Sequence, residues 1–224
     1  MPLIVLWDID HTLIDNAGVS KEIYASAFKA LAGHPPAHPA RTDGRTDRLI
    51  ISDMFADHHL PVPAWDLAEA ALEQAGTCHE QELKARGRVL PGVRSVLKEA
   101  YEDPAIVSSV LTGNIAANAL VKLRPFGLDR YLDLAVGAYG ADSDRRADLV
   151  VMARERIGRA YPWADRASTI VVGDTPRDVE AALTAGAQVI AVASGVHSAE
   201  LLHAAGATVV LNDLRELRGH LHAI

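Results

Sequence analysis

Asp8 and Asp10 stand two residues apart in the run Asp8–Thr12 (DIDHT), where a short apolar stretch, Leu3–Trp7, ends. Side chains two apart on a strand point the same way. Both carboxylates can therefore converge just beyond its carboxyl end, the edge where open α/β sheets bind ligands. Paired carboxylates repel, and at neutral pH a cation or a shared proton relieves them. A turn would also favour these residue types. A second run, Val171–Asp178 (VVGDTPRD), follows another apolar stretch and offers Asp174 at its end. Thr175 can cap a helix whose first position is Pro176. Asp178 then occupies the third helical position, where it can close a capping box with Asp in place of Glu, support a metal site, or do both.

Two further pieces could meet an anion. Leu111–Asn114 (LTGN) offers the Thr112 hydroxyl, and Gly113 and Asn114 open a helix whose free N–H groups favour negative charge. A plain helix cap would use the same residues. Arg145 and Arg146 open a long amphipathic pattern, the end of a helix where cations are less favoured, so a carboxylate cluster or phosphate nearby would compensate them.

The elements that must position these groups alternate along the chain. Strands are predicted at Leu3–Trp7, Ala105–Leu111, Leu132–Val136, Thr169–Val172, Gln188–Ala193 and Thr208–Leu211. Several are continuously apolar, as parallel strands covered on both faces are. Helical periodicity runs over Gly92–Tyr101, Asn114–Arg124, Arg146–Arg159, Pro176–Ala185, Ala199–Ala205 and Leu214–His222. This alternation predicts a doubly wound α/β core with a parallel, Rossmann-like sheet. It is interrupted after the first strand by three helical patterns, Ser20–Ala32, Thr46–His59 and Ala64–Arg86. The expected division is a core of 1–15 and 89–224 and a helical insertion of 16–88.

Composition narrows the function. The 224 residues are 49% hydrophobic and 23% charged, ordinary for a folded domain. The net charge of −7 leaves no excess of basic residues for nucleic acid. A single cysteine, Cys78, rules out a disulfide framework and a thiolate zinc site. The longest early apolar run is too short for a signal peptide or a membrane helix, so a soluble, cytoplasmic protein is expected. His11 is expected to point away from the aspartates by strand alternation. His34, His38, His58 and His59 fall in or near polar loops, and Trp7 and Trp163 read as packing residues.

Taken together and in this order, the motifs resemble the haloacid dehalogenase-like hydrolases. DIDHT is similar to the nucleophile motif DxDxT, LTGN to the second motif, Arg146 (or Arg145) to the basic third motif, and GDTPRD to the acidic fourth motif GDxxxD. The helical insertion, with Gly44–Asp47 (GRTD) and Leu90–Val93 (LPGV), resembles the small cap of the phosphoglycolate phosphatase-like branch. The usual Lys of the third motif, and its Lys-Pro pair, are absent.

The resemblance implies an Mg²⁺-dependent phosphatase acting on a small phosphorylated metabolite. Asp8 would be the nucleophile and Asp10 the general acid and base. Asp8 and Asp174 would bind the metal with the Asp10 backbone carbonyl, and Asp178 would orient that shell. Thr112, Gly113 or Asn114, and Arg146 would hold the phosphoryl oxygens. Arg45 in the cap is the candidate substrate contact. A phosphomutase shares all four motifs. A haloalkanoate dehalogenase shares the fold but has no use for Asp10 or an acidic cluster. An inactive binding module would be expected to have lost Asp8 or Asp174.

Overall fold

The computed structural model describes residues 2–219 and 221. Five parallel strands form one sheet: β1 (Leu3–Trp7), β4 (Ile106–Val110), β5 (Ser168–Gly173), β6 (Gln188–Val192) and β7 (Val209–Leu211), in the order β4-β1-β5-β6-β7. β1 lies between strands from far along the chain, pairing Leu3 with both Ile106 and Ser168. The even alternation of β1 divides the interior. Leu3, Val5 and Trp7 face one apolar cluster, which includes Val93, Val96 and Leu97 of α5 (Val93–Glu102). Ile4 and Leu6 face the other. There they meet Leu149, Ala153 and Ile157 of α7 (Arg146–Ala160) and Val179 and Ala182 of α8 (Pro176–Thr184). Helices thus cover both faces, which is why the strands read as continuous apolar runs.

Two short strands, β2 (Ile14–Asp15) and β3 (Arg88–Val89), pair antiparallel, and the chain between them is helical. It comprises α1 (Val19–Ala32), α2 (Asp47–Asp57), α3 (Trp65–Cys78) and α4 (Glu80–Arg86). Ile23, Phe28, Phe55 and Leu72 are buried and continue the apolar cluster of the first sheet face.

The structure corrects three predicted elements. Leu132–Val136 is not a strand. Its Asp133 carboxylate accepts from Ala135 N and caps a single 3₁₀ turn, Leu134–Val136. The pattern Ala64–Arg86 breaks into α3 and α4 at His79, whose ring is bound back to Ala75 O at 2.8 Å. The predicted helix Leu214–His222 is a 3₁₀ turn over Leu214–Leu217, and His220 and His222 lie outside the described residues. The remaining helices are α6 (Ala116–Leu123) and α9 (Ala199–Ala204). Among the described residues no helix is long and apolar enough to cross a membrane.

Candidate active site

The predicted groups meet at the carboxyl ends of the three adjacent strands β4, β1 and β5. Asp8 extends β1 by one ladder bond, its N–H donating to Val172 O at 2.9 Å. Asp174 follows β5, and Thr112 leaves β4 with its N–H bound to Ala138 O at 3.1 Å. Asp8, Asp174 and Asp178 are all buried, and each presents an oxygen within 4.8 Å of the others.

Arg146 is the cation set against this cluster. At the start of α7 and only 8% exposed, it places Nη2 2.7 Å from Asp8 Oδ1 and 2.6 Å from Asp178 Oδ1. Arg145, the other candidate, is exposed. Asp178 also closes the predicted capping box: its Oδ2 accepts from Thr175 N at 3.0 Å, while Asp178 N donates to Thr175 Oγ1 at 3.3 Å. One carboxylate oxygen therefore caps a helix and the other faces the site. That second oxygen has no partner of good hydrogen-bond geometry although it is buried.

Three buried carboxylates with one guanidinium leave negative charge uncompensated. Burial pushes Asp8 up to about 7, against the pull of Arg146 and with the added repulsion of Asp178 and Asp10. Burial likewise holds Asp174 well above the ordinary carboxylate range, with Asp8 and Asp178 adding to it, although Thr12 donates to its Oδ1 at 3.2 Å. A close-set group of hard oxygen donors, one of them without a well-aligned donor, fits a divalent cation such as Mg²⁺. Gly195 lets the chain approach this group, since a Cβ there would fall 1.9 Å from Asp174 Oδ2.

Asp10 is placed differently. Its carboxylate does not join the cluster but is held by four side-chain donors: Asn16 Nδ2 at 2.6 Å and Ser20 Oγ at 3.2 Å on Oδ1, Asn114 Nδ2 at 2.9 Å and Lys122 Nζ at 2.6 Å on Oδ2. Burial alone would raise it, but the Lys122 charge and these hydrogen bonds outweigh burial and hold Asp10 below the usual carboxylate range. Sequence reasoning missed Lys122. It also placed His11 facing away from the site, but the strand ends at Trp7. His11 takes a left-handed conformation at φ 60°, and it borders the cleft.

The second motif touches the helical segment directly. A Cβ on Gly113 would lie 1.9 Å from Arg45 O, so only glycine admits this contact. Asp47 N donates to Gly113 O at 2.7 Å, and the buried Asp47 carboxylate accepts from Ile115 N at 2.7 Å and from the Tyr24 hydroxyl. Burial raises Asp47 to about 6 against these two hydrogen bonds. Arg45 borders the cleft as well, paired with Asp53. The cleft enclosed by these groups has a volume of about 40 Å³ and is lined by polar side chains, including Asn16, Ser20, Tyr24 and Asn114.

Comparison with known proteins identifies the family. The family model described as haloacid dehalogenase-like hydrolase matches residues 5–192. The chain is 30% identical over 227 residues to the probable phosphatase IndB of Dickeya dadantii (strain 3937), covering 100% of this chain and 95% of that protein. It is 24% identical to a phosphoglycolate phosphatase of Pseudomonas fluorescens (strain Pf0-1), covering 97% and 79% of the two chains. A solved hydrolase from Pseudomonas syringae shares the fold, with a TM-score of 0.72 at 22% identity over 100% of this chain and 99% of that one. The chain belongs to the haloacid dehalogenase-like hydrolase family.

Proposed function

We propose that the protein is an Mg²⁺-dependent phosphatase that hydrolyses a small phosphate monoester through a phosphorylated Asp8. The observation that carries this reading is the setting of Asp8. It stands at a strand end with Arg146 2.7 Å away and with Asp174 and Asp178 close by. An Asp8 oxygen attacks phosphorus, a P–O bond forms, and the bond to the leaving oxygen breaks. Asp10 supplies the proton that the departing alcohol needs, then accepts one from the water that cleaves the aspartyl phosphate.

Thr112, the Gly113 and Asn114 amides, and Arg146 surround the phosphoryl oxygens as charge builds on them. Asp8, Asp174 and Asp178 would hold Mg²⁺, with the Asp10 backbone carbonyl. Bound there, the ion supplies the positive charge that lets a carboxylate approach an anionic phosphate. Segment 16–88 serves as the cap. The cleft at the strand ends is lined by Arg45, Asn16, Ser20 and Tyr24 of this segment, so the leaving group of a bound phosphate ester would meet them. The buried carboxylates weigh against halide displacement, in which neither a cation site nor a proton donor is needed.

Turnover of p-nitrophenyl phosphate with and without Mg²⁺, together with acid-quench trapping of a phosphoenzyme, tests this reading. Activity that needs Mg²⁺ and a phosphoenzyme lost in Asp8→Asn are expected. Turnover without either would overturn it. A panel of phosphate monoesters then identifies the leaving group.

A further inference from the structure

We propose that Lys122 is a positioning residue that fixes the Asp10 carboxylate between the phosphate-binding loop and segment 16–88. The proposal rests on the phosphatase reading above, in which Asp10 is the acid and base. Lys122 lies near the end of α6 and is 2% exposed, among the largest fully buried side chains in the protein. An ammonium is costly to bury unless it is paired and hydrogen-bonded. An apolar residue on this face of α6, beside Ala119 and Leu123, would pack without that cost. Both acceptors of Lys122 belong to the site: Asp10 Oδ2 and Asn114 Oδ1, each at 2.6 Å.

The second contact fixes an orientation. With its Oδ1 held by Lys122, the Asn114 amide must present Nδ2 to Thr112 Oγ1 at 2.7 Å and to Asp10 Oδ2 at 2.9 Å. A flipped amide would set its NH₂ against the ammonium. Lys122 therefore aims Asp10 twice, once directly and once through Asn114, and ties it to the residue that flanks the phosphate. The opposite oxygen of Asp10 is held by Asn16 and Ser20. The acid/base carboxylate is thus clamped from the core on one side and from the base of the helical segment on the other.

The test uses the full chain as wild type, Lys122→Met, Asp10→Asn and the double variant, with Mg²⁺, on phenyl phosphate and p-nitrophenyl phosphate. Phenolate is the poorer leaving group and depends more on Asp10. Lys122→Met is expected to lower kcat on phenyl phosphate about 10-fold to 100-fold and to change p-nitrophenyl phosphate far less in the phosphorylation step. KM should hold within about threefold, since the interaction acts on the reacting geometry rather than on uniform binding. In the Asp10→Asn background the added Lys122→Met should change kcat less than about twofold, because non-additivity marks two residues acting as one unit. Thermal melts check folding. If Lys122→Met does not fold, Asn114→Ala removes the indirect half of the clamp without stranding a buried charge, and the same leaving-group pattern is expected. Equal losses on both substrates, or full additivity with Asp10→Asn, would overturn the positioning role while leaving the phosphatase reading intact. Wild-type protein inactive on both substrates would overturn the phosphatase reading and this one with it.

Discussion

Arg146 Nη2 lies 2.6 Å from Asp178 Oδ1, and the same nitrogen lies 2.7 Å from Asp8 Oδ1. One guanidinium nitrogen thus joins a residue of the α8 capping box to the residue that follows β1. The two carboxylates hold the Arg146 proton more tightly than usual despite its burial, so it stays charged throughout. Its removal leaves a buried cluster of carboxylates with no cation.

Arg146→Met is expected to destabilise the metal-free protein by about 3–5 kcal/mol at pH 8, the range for breaking one side of a buried ion pair. The penalty should shrink as pH falls below about 7, where Asp8 takes up a proton and needs no partner. Urea unfolding of wild type and variant at pH 8 and pH 5.5 measures both effects. An equal penalty at the two values would mean that Arg146 contributes by packing rather than by charge.

Asp8→Asn should abolish turnover, by at least about 10⁴-fold, with the fold retained. It should also raise the melting temperature of the metal-free protein at pH 8 by about 5 °C. The sign follows from the raised value of about 7. Stability linked to this group is present at low pH and is lost as pH rises from about 4 to about 7, because the folded state resists ionisation. The amide removes that charge. A lower melting temperature would mean that pairing with Arg146 outweighs burial.

Mg²⁺ should stabilise wild type at neutral pH, raising the melting temperature by about 5 °C once the ion is well above its dissociation constant. Asp174→Ala should cancel the increase, and exhaustive chelation should remove activity. Full activity in chelator would point to metal-free chemistry.

Asp47 should make metal-free wild type less stable as pH rises from about 4 to about 6, because burial raises its pKa to about 6. In Asp47→Asn the slope of unfolding free energy against pH over that window should lose up to about 1.4 kcal/mol per pH unit, the contribution of one proton. Denaturant midpoints at half-unit intervals would show it. An unchanged slope would mean that Asp47 is ionised in the fold across that range.

The fold was legible where periodicity is strong. Leu3–Trp7 and Val189–Val192 stand out because strands buried on both faces are apolar at every position. Leu132–Val136 has a similar look, but Asp133 N donates to Ser108 O at 2.9 Å and its side chain caps a turn, local bonds that apolar patterning does not report. β2 and β3 are too short to carry a pattern at all. At the site, Asp8 and Asp174 could be found because each follows a strand, and Asp178 because it falls at the third position of a capped helix. Lys122 could not be found that way, since it approaches from a helix. A signal existed all the same: Asn118, Ala119 and Lys122 fall on one face of α6 with Leu123, so the lysine sits on the buried stripe rather than the solvated one. In the sequence Asp47 stands only as the end of GRTD, because its role depends on Tyr24 and Ile115, neither of which a linear spacing brings near.

The place of β1 in the sheet also bears on how the chain acquires its structure. Leu3–Trp7 is made first, yet both of its neighbours, β4 and β5, are made long afterwards. At typical synthesis rates of about 5–20 residues per second, β1 waits on the order of ten seconds for its second partner. Until then an apolar five-residue segment lacks its strand partners, the condition under which such a segment can template aggregation. A strand flanked on both sides in the finished sheet is therefore the edge most at risk during biosynthesis. Refolding from denaturant, where all strands are present at once, should be the less hazardous route.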